Sequence, residues 1–370
     1  MQEALKSLSY LLGQPSYPYG MATVTATEGS SYRRPGARML LSSDGVRSGA
    51  ISGGCLEEDM IVHLQAVMKS GHAKTLLYDT TQENDVVWGV GLGCNGKVTL
   101  LLERLNGPSA SLVFAADAVD RRRRGCVLVT VYACDGADHS LLGTRMAIAE
   151  DGPCWEDMIR EDWRKVLADS ARSALGRASS ISQHFPDLTG SPSVFFEYVP
   201  PTPQLLIVGA GDDAQPLARF AGELGWSVTV ADPRPAFATV ARFPTARAVF
   251  VVQPENVANQ VPIDAHTFAI VMTHHYVHDR PFLAQLINQP LAYLGLLGPR
   301  KRADRILQEI TQAGVKVTSA ALARLHAPVG LDLGGDAPEA VALSMLAEMQ
   351  AVLQGRDAAP LRLRSRPIHE

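Results

Sequence analysis

Cys55 and Cys94 each stand in a glycine-rich stretch, Ser52-Gly53-Gly54-Cys55 and Gly89 to Gly96. Glycine clears space around a thiol, and the first stretch runs straight into a helical pattern. A thiol at a helix N-terminus has its thiolate favoured by the amides and the dipole. Cys55 is therefore the leading candidate for a reactive or metal-ligating sulfur. Cys94 comes second, because no evident helix follows it. Cys126 falls inside a strand run, where a small apolar side chain is wanted. Cys134 lies just past that run, and Cys154 precedes an expected helix without a glycine loop. Five cysteines without a C-x-x-C spacing signal neither a zinc knuckle nor a disulfide framework.

Charge offers a second chemistry. Arg33, Arg34 and Arg38 share one turn with Ser30, Ser31 and Gly36, a composition suited to cradling an anion. On spacing alone, surface arginines of a β-loop fit equally well. The four arginines Arg121–Arg124 read more simply as a solvated helix end. A third group is Gly209-Ala210-Gly211-Asp212-Asp213-Ala214, which fits G-x-G-x-x-A between a strand and a helix. Gly209 permits the tight turn, Gly211 the approach of a phosphate, and Ala214 close helix–strand packing. Asp232 stands where an acid would accept from ribose hydroxyls. Two carboxylates, Asp212 and Asp213, suit the helix dipole yet would repel a pyrophosphate, and the fold survives without its ligand. Thr273, His274 and His275 follow a later strand, with His278 and Asp279 behind, at the edge where parallel strands face a ligand. Their spacing matches no standard metal motif, so ligand hydrogen bonding or loop capping is the simpler reading.

The elements that must carry these residues are legible. A helix is expected at 2–13, then strands at Met21–Thr27, Ala37–Leu41 and Val46–Ile51. From Glu57 the period turns helical and stops at Gly71. Lys74–Asp79 and Lys97–Leu102 complete a first α+β region. The segment 106–199 carries a helix ending in the arginines, strands at Cys126–Tyr132 and Arg145–Ala149, and a helix around Trp155–Leu175. It reads as an extension of the first region's sheet. After the stiff linker Pro200–Pro203 the pattern becomes βα, with strands at Gln204–Val208, Trp226–Ala231, Ala248–Val252, Phe268–Met272 and Tyr293–Leu296. The expected fold is α/β: an N-terminal α+β domain over 1–199 and a doubly wound parallel sheet of Rossmann-like type over 204–370. A last helix should bury Ala342, Met345, Leu346 and Met349 in a core or dimer seam, with Asp336 as its N-cap. No internal repeat is evident.

The chain has 370 residues, 46% of them apolar, and a net charge of −4. That composition excludes a disordered, coiled-coil or collagen-like chain and gives no electrostatic case for nucleic acid. No run of about 18 apolar residues suggests a bilayer span, and the N-terminus lacks a signal-peptide pattern, so a cytoplasmic protein is expected.

Taken in series, the motifs resemble the XdhC/CoxI family of accessory proteins for xanthine dehydrogenase-type molybdenum enzymes. The series is Gly29-Ser30, Arg33, Pro35-Gly36, Ser52 to Glu57, Gly93-Cys94, Gly209 to Gly211, Asp232 to Arg234, Thr273-His274, Tyr293 to Gly298, Ala327 to Asp332 and Pro338-Glu339 to Ala347-Glu348. It covers both ends of the chain and leaves only 106–200 unmatched. The sequence departs from the family at Asn95, where glycine is usual, and at the doubled Asp212-Asp213. The resemblance implies a factor that binds molybdenum cofactor, mononucleotide or dinucleotide in form, and assists its sulfuration and insertion into an apo-molybdenum hydroxylase. Arg33, Arg34 and Arg38 would then supply charge beside Ser52, Gly53 and Gly54, while Cys55 and Cys94 ligate the metal or relay sulfur. Gly209, Gly211, Ala214 and Asp232 would hold a nucleotide. A cysteine desulfurase and a second copy of the chain are the further implied partners. The alternatives are an NAD(P)-dependent oxidoreductase using Asp232 on the ribose and His274 as acid–base, or a nucleotide-binding scaffold without chemistry.

Overall fold

A computed structural model of the chain describes residues 18–365 except 30, 55, 80, 82–95, 108, 137, 138, 153 and 158. The expected helix at 2–13, Cys55 and Cys94 lie outside the described residues. The chain divides into two compact units, Met1–Pro201 and Thr202–Glu370.

Among the described residues, the first unit holds two five-stranded antiparallel sheets. Strands β1 (Tyr19–Gly29), β2 (Arg38–Ser42), β3 (Arg47–Gly49), β4 (Lys74–Asp79) and β5 (Gly96–Leu105) take the order 3-2-1-5-4. Helix α1 (Glu57–Ser70) lays Met60, Leu64 and Val67 on this sheet against Val24, Leu100 and Leu102, and ends at Gly71 in the left-handed region. Helix α2 (Ala110–Asp120) follows. Its Leu112, Ala115 and Val119 share one core with Met21 and Leu40 of this sheet and Leu128 and Ala147 of the next. The second sheet is built from β6 (Cys126–Ala133), β7 (Arg145–Ala149), β8 (Cys154–Asp157), β9 (Ile181–His184) and β10 (Ser193–Val199), in the order 8-7-6-10-9. It is covered by α3 (Glu161–Gly176), through Trp163, Leu167 and Ala171.

Residues 106–199 therefore do not extend the first sheet. They repeat it. Thr23 pairs with Arg38 as Thr130 pairs with Arg145, and Met21 faces Glu103 as Leu128 faces Glu197. Gly36-Ala37-Arg38-Met39 returns as Gly143-Thr144-Arg145-Met146, with both glycines at positive φ, +99° and +81°. The expectation of no internal repeat is thus corrected. The two copies hold each other reciprocally. Arg38 donates to Glu197 and Arg145 to Glu103; Thr75 donates to the Tyr132 carbonyl and Ser182 to that of Thr25. A Cβ on Gly36 would lie 2.6 Å from the Glu197 carboxylate, and one on Gly143 2.9 Å from that of Glu103. Glycine is required at both places for the arginine–glutamate pairs to close.

The second unit carries a parallel sheet in which β11 (Gln204–Val208) lies between β12 (Ser227–Asp232) and β14 (Thr267–Val271). The outer strands are β13 (Ala248–Val251) on one side, and β15 (Tyr293–Leu296) and β16 (Leu325–His326) on the other. Helix α4 (Ala214–Glu223) follows β11, α5 (Tyr276–Leu286) follows β14, and α6 (Arg300–Gln312) follows β15. This is the expected doubly wound, Rossmann-like architecture. Helix α7 (Pro338–Leu353) spends Ala342, Met345, Leu346 and Met349 in the core of its own unit, against Leu217 and Ala221 of α4. Its N-cap is Ala337, not Asp336. The helix expected from Trp155 begins only at Glu161, because Cys154–Asp157 are drawn into β8 beside β7.

Candidate functional site

Three connections leave the first sheet towards one end: 30–37 after β1, 50–56 after β3, and 80–95 after β4. Gly29 lies opposite Gly96 and Asp79 opposite Lys97, so β5, which follows the Cys94 connection, pairs with the strand that launches the arginine loop, and β4, which precedes it, lies on the far side of β5. Gly49 pairs with Met39, which returns β3 to the same side before the Cys55 stretch.

The first two loops touch. A Cβ on Gly53 would sit 3.6 Å from the Tyr32 ring, and the Arg33 guanidinium lies 5.6 Å from that ring's centre. Ser31 Oγ donates to the Arg33 carbonyl at 2.9 Å, fixing the bend of the loop. Gly54 adopts φ +113° with open space where a side chain would be, so the backbone beside Cys55 is bare.

Two expected ligand contacts are already spent. Ser52 is buried; its amide and hydroxyl both donate to Glu57, while its oxygen accepts from the Gly54 and Leu56 amides. Its role is to hold the stretch onto α1. Burial opposes the charge of Glu57, but these hydrogen bonds prevail and keep its carboxyl below the usual range. Arg38 is the second. It is buried with Nη1 2.9 Å from Glu197 Oε1 and Nη2 on Oε2. Burial disfavours its charge, yet the facing carboxylate outweighs that and raises its pKa. A guanidinium so enclosed is structural, so Arg33 and Arg34 alone remain of the expected cationic set. The first turn of α1 carries Glu57, Glu58 and Asp59, which offset the dipole invoked for Cys55. Cys126 is buried in β6, its thiol pushed up to about 12 by that burial, and is inert.

In the second unit Gly209 has φ +116°, and a Cβ there would lie 2.6 Å from the Met272 carbonyl. The loop it opens crosses the edge between β11 and β14, where the order of the sheet reverses. Ala214 packs into the core, as close helix–strand contact requires. Asp232 is fully buried. Its oxygens accept from the Ala210 amide at 2.7 Å and from three nitrogens of Arg234, which leaves none for a ribose. The carboxylate thus ties the glycine loop to β12. Asp213 folds over Gly211, whose Cβ would be 2.7 Å from its Oδ1, and its Oδ2 lies 2.5 Å from His274 Nε2. His274 is held at φ +61°, a conformation that a side chain rarely adopts. Asp279 is buried on the hydroxyl and amide of Thr273 and on Arg302, a loop-holding role. Among the described residues no group of three histidine, cysteine or acidic side chains could hold a metal ion, and no helix is long and apolar enough to cross a membrane.

The residues missed in the sequence are mostly acids. Glu103 and Glu197 each interrupt an apolar strand run, a placement that signals a buried partner. Tyr32, which meets Gly53, carried no signal, and for Asp213 the sequence indicated the clash with a pyrophosphate but not the pairing with His274.

Two family models match the chain: the XdhC and CoxI family over residues 14–79 and the XdhC Rossmann domain over 205–349. A Bacillus subtilis (strain 168) protein, named as a probable xanthine dehydrogenase subunit, is 32% identical over 331 residues, 89% of this chain and 91% of its own. The Escherichia coli (strain K12) molybdenum cofactor insertion chaperone PaoD is 24% identical over 332 residues, 90% of this chain and 82% of its own. A crystal structure described as a xanthine dehydrogenase from Bacillus halodurans superposes with a TM-score of 0.75 at 27% identity, covering 98% of this chain and 99% of that one.

Proposed function

The chain belongs to the XdhC and CoxI family, and from that premise we propose that it is an accessory factor that binds molybdenum cofactor as cargo and assists its sulfuration and insertion into a xanthine dehydrogenase-type hydroxylase. The relatives named for xanthine dehydrogenase and for cofactor insertion support an accessory role toward such an enzyme. The observation that carries the reading is the approach of the arginine loop to the Gly53-Gly54 stretch, with β5, which follows the Cys94 connection, paired to the strand that launches that loop.

The cargo is an anionic pterin dithiolene that oxidants degrade. Arg33 and Arg34 offset its charge, and the open backbone at Gly54 admits its bulk. Cys55 and Cys94 ligate the metal or relay sulfur, which a cysteine desulfurase would supply. The His274–Asp213 pair lies in the other unit. Because Asp213 covers the glycine loop, that unit suits a neutral hydrogen-bonding ligand better than a dinucleotide phosphate. The same feature disfavours the NAD(P)-dependent oxidoreductase reading.

Co-expression with the natural client tests the proposal. Client molybdenum and sulfido content should rise without a change in the amount of client protein. Equal content with and without this chain would overturn it.

A further inference from the structure

The duplication places two clefts at equivalent positions of the first unit, and their chemistry has diverged. One is lined by Arg34 of the first copy and by Ser179, Ser180, Phe195 and Tyr198 of the second. Its counterpart, on the other side of the pseudo-twofold, is lined by His72 and Ala73 where the first has the two serines, by Leu142 where it has Pro35, and by Arg104 where it has Tyr198. The equivalence follows from strand register and from the reciprocal Thr75 and Ser182 hydrogen bonds. Position 34 itself is matched by Leu141, so the arginine of this turn is present in one copy only, while the counterpart carries Arg104, Lys74 and His72 at other positions of its lining.

We propose that the Arg34 cleft binds a phosphate or pyrophosphate group, the anionic end of the cargo; the identity of the cargo rests on the function proposed above, the anion site on the cleft alone. Glu197 also lines the cleft, but both its oxygens are engaged by the buried Arg38, so it presents little net negative charge. Ser180 Oγ accepts the Tyr198 amide at 3.0 Å, which leaves its proton for a ligand, and Ser179 stands beside it on the surface. The turn that presents them holds Ala178 at φ +48°, where the other copy has Gly71 at +77°. One guanidinium with two adjacent hydroxyls is a donor set for phosphoryl oxygens. The half-buried ring of Tyr198, backed by the buried Phe195, gives the cleft an apolar side. Arg34 belongs to the loop whose Tyr32 meets Gly53.

Calorimetry on the full chain, with inorganic phosphate and inorganic pyrophosphate as probes, tests the site. One equivalent of probe should bind. Arg34→Gln should weaken binding at least about tenfold, as expected for loss of a charge-assisted contact, and Arg34→Lys should recover part of it. His72→Ala, in the counterpart cleft, should bind as the unaltered chain does. Phenylglyoxal modification of Arg34, followed by mass spectrometry, should slow when the probe is present. A preference for pyrophosphate supports the dinucleotide form of the cargo and a preference for phosphate the monoester form. Absence of heat with both probes, unchanged binding in Arg34→Gln, or an equal loss in His72→Ala would overturn the site. If client loading fails while Arg34-dependent binding persists, only the cargo's identity falls.

Discussion

Arg38 of β2 and Arg145 of β7 occupy the same position in two copies of one sheet, and each gives its guanidinium to a glutamate of the other copy. Both pairs are buried. A buried ion pair adds little net stability but makes the loss of one partner expensive, so the pairs specify how the copies meet. In the first copy, that arrangement fixes Gly36 and the hairpin from which Arg33 and Arg34 project.

Glu197→Ala should therefore destabilise the first unit by about 3–5 kcal/mol, by stranding Arg38 in the interior. Glu103→Ala should cost a similar amount through Arg145. The double change Arg38→Met with Glu197→Leu should recover most of the loss. Urea unfolding measures all three, and a loss below about 1 kcal/mol for either single change would contradict the account.

Gly209→Ala should weaken the second unit by roughly 1–3 kcal/mol, since it combines a left-handed φ with a Cβ against the Met272 carbonyl. Hydrogen exchange should quicken across β11, β12 and β14 while β1 and β5 keep their protection. Unchanged exchange in the parallel sheet would show that the loop relaxes freely.

Glu57 sets an acid limit. Its folded pKa lies below the unfolded value because the Ser52 hydrogen bonds outweigh burial. Asp157 behaves likewise, its burial outweighed by hydrogen bonds from Ser109 and Ser111. Such groups contribute stability that is fully present above their unfolded pKa, about 4, and is lost as pH falls through the depressed folded value. Thermal midpoints should be flat at neutral pH and fall steeply below about pH 4. Glu57→Gln should reduce that slope and lower the plateau; an unaltered slope would remove Glu57 from the account.

Asp213 lies where a pyrophosphate would meet the N-terminus of α4. The unaltered chain should give no heat with millimolar NAD or NADP, whereas Asp213→Ala should bind at least one of them. Tight binding by the unaltered chain would show that Asp213 swings aside at little cost.

The strands and the parallel sheet were legible because apolar periodicity and glycine stops act locally. Lys74–Asp79 and Arg145–Ala149 are found where the pattern places them. The duplication is hard to see, although Gly-x-Arg-Met occurs twice, because the repeat is short and its glutamates lie far along the chain in Glu103 and Glu197. The strands β9 and β10 were missed for a related reason. The pairing of β10 with β6 joins distant stretches of chain, β9 is then held at the edge on β10, and Glu197 breaks the apolar run that would have marked β10. At the candidate site, residue types pointed to the right loops, but type could not say whether a polar group was spent. Ser52, Arg38 and Asp232 each fit a ligand contact by chemistry, and each is consumed by a neighbour that only the fold supplies.

Binding of the cargo is read out by what the purified chain retains. The chain would be isolated without oxygen from cells making its client, with molybdenum measured by mass spectrometry and pterin by fluorescence after oxidation. Molybdenum and pterin should be present in equal amounts on the unaltered chain, with molybdenum reduced in Cys55→Ser and less so in Cys94→Ser. A chain that carries neither, beside a fully loaded client, would contradict cargo binding.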